Sequence, residues 1–195
     1  KSYQEIVLAG GCFWCTESEY NHEPGVISAV SGYADTAKSY QAGTGPAYSQ
    51  VSSEEVSARE AVQVIYDPAK ISIPRILELY FRHINPTDSG GQFADRGYHY
   101  SPAIYYQLVE QRDSALVLIK KIDATKKFDK PVVVEVLPYT NFYPAEEYHQ
   151  DYKDKNSVRY TLYREGSGRT GYIQRTWSDT SPFVKEIFGA ALVPV

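Results

Sequence analysis

Two rhythms of apolar positions run along this chain. Where apolar residues are nearly continuous, as in Glu5-Ile-Val-Leu-Ala-Gly-Gly11, the segment suits a strand buried on both faces and central in a sheet. Val26 to Tyr33 reads as a second strand. Glu60 to Asp67 reads as a third, with Glu60, Val62, Val64 and Tyr66 on one face by alternation and Asp67-Pro68 as its end. Ala103 to Tyr106 and Val132 to Leu137 complete the strands. Between them the rhythm lengthens. Cys12 to His22 lacks Gly and Pro and predicts a short helix stopped by Glu23-Pro24-Gly25. Pro74 to His83 places Ile76, Leu77, Tyr80 and Phe81 on one helical face, and Val109 to Lys127 spaces Ala115, Leu116, Ile119 and Ile122 three and four apart.

The resulting order β-α-β-β-α-β predicts an α+β fold with a ferredoxin-like split β-α-β core, a two-layer α/β sandwich. A further helix, a strand and a tyrosine-rich C-terminal segment extend it. Two stretches without periodicity, Ala34 to Ser53 and Asn85 to His99, predict long loops of the kind that carry function. Gly166, Gly168 and Gly171 predict a mobile tail. At about 150 residues per domain, the 195 residues predict a single catalytic domain over 1–195.

Composition narrows the function. With 43% hydrophobic and 23% charged residues the chain is an ordinary globular one, and a net charge of −4 gives no field to attract phosphate backbones. Nucleic acid is therefore not expected as a partner. The lysines between Lys120 and Lys130 are interrupted by Asp123 and Asp129 and read as a solvated face. No apolar run reaches the roughly 20 residues that span a bilayer, so no membrane association is expected, and a monomer is. Methionine is absent, so Lys1 is not expected to be the translated start. The compartment stays open, with the cytoplasm favoured over the periplasm or cell envelope.

The candidate chemistry is concentrated near the N-terminus. Cys12 follows a buried strand and two glycines and opens a helix, where free N–H groups and the helix dipole favour a thiolate. Cys15 lies one turn on, at a Cα separation of about 5 Å that suits a dithiol pair. Half of a zinc site is the other reading, but His22, His83, His99 and His149 show no finger-like spacing. Glu60 sits on the apolar strand face, where burial raises a carboxyl pKa and makes a proton donor; a strand-end carboxylate turned to solvent is equally compatible with the pattern. Most of the 18 tyrosines are expected to pack, although such rings can wall a pocket for a polarisable sulfur group. Glu146-Glu-Tyr-His149 has a Glu-x-x-His spacing, but a single copy reads as structural rather than metal-binding.

Gly10-Gly-Cys-Phe-Trp14 with Glu17 resembles the signature of the peptide methionine sulfoxide reductase A family. The resemblance continues through Ser31-Gly-Tyr33, Pro46-Ala-Tyr48, Glu60-Ala-Val, Asn85-Pro-Thr87, Asp95-Arg-Gly97, Tyr100, Ala103-Ile-Tyr105 and His149-Gln150, covering about residues 5 to 155. It implies that Cys12 is the catalytic cysteine, Glu60 the acid at the sulfoxide oxygen, Tyr48 and Tyr100 its hydrogen-bond partners, and Asp95 a supporting carboxylate. Phe13 and Trp14 would hold the substrate methyl. The chain differs from the common pattern in carrying Cys15 where a glycine is usual and no later cysteine, and Ser101 where an arginine is usual.

The expected reaction is attack of Cys12 on the sulfur of S-methionine sulfoxide, free or in proteins, leaving a Cys12 sulfenic acid. Cys15 then condenses with it to a disulfide, and a thioredoxin-like dithiol resets the pair. No metal or organic cofactor is implied. The alternatives are a thiol–disulfide oxidoreductase acting on protein disulfides and a zinc- or peptide-binding module.

Overall fold

A computed structural model describes residues 2–41 and 43–189. Its core strands are β1 (Gln4–Ala9), β2 (Val26–Ala34), β3 (Arg59–Tyr66) and β6 (Ala103–Tyr106), which lie in the order β6-β1-β3-β2, all antiparallel. With α1 (Phe13–Tyr20) after β1 and α3 (Ile73–Arg82) after β3, this is the expected ferredoxin-like core. Two strands widen the sheet: β7 (Glu135–Pro138) runs parallel to β6 after the crossover helix α4 (Val109–Ala124), and β8 (Phe142–Pro144) pairs with the outer edge of β2.

The two faces of the sheet divide as the alternation requires. Ile6, Leu8, Val62, Val64, Tyr66 and Ile104 pack under α3 and α4 against Ile76, Leu77, Tyr80, Ala115, Leu118 and Ile122. Val7, Ala9, Ala61, Ala103 and Tyr105 form a smaller core on the other side with Leu137, Tyr139 and Phe142. Helix α3 starts where Ser72 Oγ accepts the Arg75 N–H at 3.4 Å and Pro74 occupies the first turn, where its missing donor costs nothing.

Some boundaries differ from expectation. Strand β7 begins at Glu135 rather than Val132, because the Val132 N–H is taken by the Asp123 side chain at 2.9 Å and the Val133 N–H by the Pro86 carbonyl at 2.8 Å. Helix α4 stops at Ala124, and Lys126 just beyond it has a φ of +53° that no helix continues. The first long loop contains a short helix, α2 (Tyr48–Ser52). The second folds into a tight hairpin, β4 (Gly91–Gln92) with β5 (Asp95–Arg96), and a helical turn at Tyr98–Tyr100.

The largest correction concerns the C-terminal segment, which is not a mobile tail. It forms α5 (Tyr152–Lys155), α6 (Ser157–Gly166), α7 (Arg169–Thr176) and α8 (Pro182–Phe188). Gly168, at a φ of +85°, is the hinge between α6 and α7 rather than a source of disorder. Trp177, after α7, is 1% exposed and donates its indole N–H to the Ile84 carbonyl at 3.2 Å, while Phe183, Val184 and Ile187 of α8 join the main core.

Candidate active site

Strand β1 ends in the Gly10-Gly11 turn that delivers the chain to the N-terminus of α1. Gly11 has a φ of +84°, and a Cβ there would lie 2.6 Å from the Gln92 Cβ and 2.8 Å from an Arg169 Nη, so both conformation and space demand glycine. Cys12 is the N-cap of α1, buried, with its carbonyl accepting the Cys15 N–H at 3.1 Å. The helix start therefore fixes both thiols on one side of one turn. Both cysteines are free.

Glu60 stands on the adjacent strand β3, on the face of Val62 and Val64, and is 2% exposed. That excludes a carboxylate turned to solvent. Its Oε2 accepts the Phe13 N–H at 3.0 Å, satisfying one of the unpaired donors of the first helical turn. Burial nevertheless pushes the carboxyl up to about 8, with the charges of Asp95 and Cys15 adding to the rise, so Glu60 holds a proton at neutral pH.

The two sulfurs are pushed in opposite directions. The hydrogen bond from Cys12, with the positive charges of Arg169 and Arg164, outweighs burial and holds Cys15 down at about 6. Burial, then the hydrogen bond and charge of Cys15, push Cys12 well above the ordinary thiol range. Two features work against the thiolate expected of Cys12 at the helix N-terminus: the Phe13 N–H is already taken by Glu60, and burial beside Cys15 raises Cys12.

Around the sulfurs the aromatic residues converge. The hydroxyls of Tyr48, at the start of α2, and Tyr100 face one another, and burial first, then the charge of Glu60, raises both, so both remain phenols. Asp95 of β5 accepts the hydroxyl of Tyr163, which lies beside Cys12 and acts on its ionisation. Trp14 stacks on Tyr152 at a centroid distance of 3.7 Å and an angle of 4°, meets Tyr163 edge-on at 5.8 Å, and donates its indole N–H to His149 Nδ1 at 3.1 Å. Phe13 is buried, with its ring 5.9 Å from Tyr33 and 4.9 Å from His149.

All eight residues singled out in the sequence, Cys12, Cys15, Glu60, Tyr48, Tyr100, Asp95, Phe13 and Trp14, are thus gathered around the first turn of α1. The Glu-x-x-His motif is structural. Glu146 accepts the Tyr33 hydroxyl and the Tyr48 N–H, each at 2.8 Å, while His149, its pKa lowered by burial, is a neutral acceptor for Trp14. Tyr163, Tyr160 and the arginines of α6 and α7 were not foreseen. The one signal for them is the spacing of Tyr160, Tyr163 and Arg164, which places three polar-tipped side chains on one helical face.

Among the described residues no group of three or more His, Cys, Asp and Glu is arranged to hold a metal ion. No described helix is long and apolar enough to cross a membrane. What the arrangement offers is a sulfur nucleophile with a second sulfur beside it, a carboxyl that can give up a proton, two phenols and an aromatic wall. This is equipment for taking an oxygen from a polarisable centre.

A model of the family described as peptide methionine sulfoxide reductase matches residues 4–181. The chain is 44% identical over 189 residues to the peptide methionine sulfoxide reductase MsrA/MsrB of Vibrio cholerae, covering 97% of this chain and 46% of that protein, so it spans about half the length of that relative. It is also 44% identical over 179 residues to the peptide methionine sulfoxide reductase MsrA of Bacillus pumilus, covering 91% of this chain and 98% of that one. Among solved structures, Mxr1 from Saccharomyces cerevisiae in reduced form is similar with a TM-score of 0.71 and 30% identity, over 80% of this chain and 86% of that one. The same yeast protein has been solved in complex with Trx2, where the similarity is a TM-score of 0.50 at 23% identity, over 77% of this chain and 84% of that one.

Proposed function

The chain belongs to the peptide methionine sulfoxide reductase family, and from that premise we propose that it reduces the S-epimer of methionine sulfoxide, free or in proteins, with residues 1–195 acting as one catalytic domain. The observation that carries this reading is Glu60, a neutral carboxyl tied to the Phe13 N–H beside the sulfur of Cys12. A sulfoxide oxygen leaves its sulfur only when protonated, and Glu60 is an enclosed acid beside the nucleophile.

In the proposed reaction Cys12 passes its proton to Cys15, already within hydrogen-bonding reach, and its sulfur bonds to the sulfoxide sulfur. Glu60 gives its proton to the oxygen, with Tyr48 and Tyr100 as hydrogen-bond donors to it, and Asp95 orienting Tyr163. The substrate S–O bond and the new S–S bond then break as the hydroxyl passes to the Cys12 sulfur, leaving a Cys12 sulfenic acid and releasing methionine, two electrons having passed from Cys12 to the substrate. Phe13 and Trp14 receive the methyl side. Cys15 then attacks the Cys12 sulfur: an S–S bond forms, the S–O bond breaks, and the oxygen leaves as water. A thioredoxin-like dithiol returns both sulfurs to thiols by exchange, a role in keeping with the Mxr1–Trx2 complex.

Incubation with separated methionine sulfoxide epimers and a dithiol reductant tests the reaction. Methionine is expected from the S-epimer alone; reduction of protein disulfides without methionine formation would favour the thiol–disulfide oxidoreductase reading. In Cys15→Ser one methionine per enzyme still forms in a single turnover, and the sulfenic acid persists for trapping by a dimedone-type reagent. Unaltered cycling with thioredoxin in Cys15→Ser removes Cys15 from the resolving role.

A further inference from the structure

We propose that Arg169, carried on α7 near the far end of the chain, is a positioning residue for the dithiol: it is the fixed counter-charge that holds Cys15 as a thiolate. The inference rests on the reading of Cys15 as the resolving thiol and adds to it the group that readies that thiol.

Three arginines are buried, and they differ in their partners. Arg59 meets the Glu135 carboxylate and Arg82 meets Glu78 and Asp179. Arg169, 1% exposed, donates to two neutral carbonyls, to His83 at 2.6 Å and to Gly10 at 3.2 Å, and lies over the Phe93 ring at 4.7 Å. Among the described residues no carboxylate pairs with it. A guanidinium removed from water without a counter-ion is costly, and carbonyl dipoles repay only part of that cost. The same guanidinium lies against Gly11 in the turn that presents Cys12 and Cys15, which brings its positive charge to bear on the dithiol.

The other groups facing Cys15 do not supply this charge as directly. Arg164 of α6 is already paired with Glu19 of α1 at 3.2 Å, and Glu19 also takes His83 at 2.7 Å. Tyr160 and Tyr163 of α6 stay protonated, Tyr152 packs beside Cys15 as an apolar ring, Glu60 holds its proton, and the charge of Glu19 works against a thiolate. Cys12 contributes a hydrogen bond but no charge. The positive field of Arg169 is therefore what the resolving step draws on. It favours the thiolate that attacks the Cys12 sulfenic sulfur, and it stabilises Cys15 as the leaving thiolate when an external dithiol attacks Cys12.

The test is a titration of the Cys15 thiolate by its ultraviolet absorbance in a Cys12→Ser background, with Cys12→Ser/Cys15→Ser as the blank. Arg169→Met raises the midpoint by about one unit or more, while Arg169→Lys keeps most of the shift. In the two-cysteine enzyme Arg169→Met also prolongs the dimedone-trappable sulfenic acid about tenfold. Should Arg169→Met not fold, Arg169→Gln, which keeps donors for the two carbonyls without the charge, gives the same reading. A midpoint unmoved in a folded Arg169→Met or Arg169→Gln overturns the proposal. The titration involves no turnover, so it can fail while Cys15→Ser still accumulates sulfenic acid, and it can succeed while Cys15→Ser cycles normally; the two failures are separate results.

Discussion

A carboxyl that keeps its proton up to about pH 8 sets an alkaline limit on the chemistry it serves. The single-turnover rate of methionine formation is expected to fall as pH rises through that value. Glu60→Gln should lose about 10²- to 10⁴-fold in that rate together with the alkaline limb, and a limb that survives the substitution would assign it to another group. Trp14 owes its orientation to the stack on Tyr152 and the bond to His149, so Trp14→Ala should lower kcat/KM while the first-turn thiol still accepts label; unchanged kcat/KM would take Trp14 out of the substrate wall. At this scale period-two alternation put Glu60 on the face of Val62 and Val64 but left its carboxyl free to turn to solvent, and the resemblance decided its role. The helix start pointed to charge on Cys12, whereas the balance between the two sulfurs also depends on Arg169 and Arg164, more than 140 positions away along the chain.

The strands and helices of the core could be read because their apolar faces look inward. Helix α6 inverts that rule. Val158 and Leu162 lie outward at 74% and 67% exposure, whereas Tyr160 is buried and Tyr163 and Arg164 turn toward the dithiol, so hydrophobic periodicity points the wrong way. Glycines 166 and 168, which suggest disorder in isolation, instead end α6 and hinge it to α7. Strands as short as β4 and β5 carry no periodic signal at all. The docked C-terminal helices predict that Trp177→Ala costs about 3–5 kcal/mol in denaturant unfolding, since it empties a space walled by Phe128 and Phe183 and strands the Ile84 carbonyl. A loss below about 1 kcal/mol would mean that the segment is not held as described.

Across the whole molecule the buried carboxyls set how stability varies with pH. Burial raises Glu60 to about 8 and Glu17 to about 7 from an ordinary 4.5, so their protonated forms stabilise the fold fully below about 4.5 and that contribution is lost as pH rises toward 7 and 8. Glu19 works oppositely: burial is outweighed by the charge and hydrogen bond of His83 and by Arg164, which hold it at about 2, and its contribution is lost as pH falls from 4.5 toward 2. The melting temperature of Glu17→Gln should therefore decline less between about pH 5 and about pH 8 than that of the parent; parallel curves would deny Glu17 this part. The bond from Arg169 to the Gly10 carbonyl joins positions 159 residues apart. A ribosome delivers the cysteine turn well before Arg169, so the strands can begin to pair while Cys15 is still an ordinary thiol. Reactivity is conferred on the nascent chain only when this later-made helix folds back onto the cysteine turn.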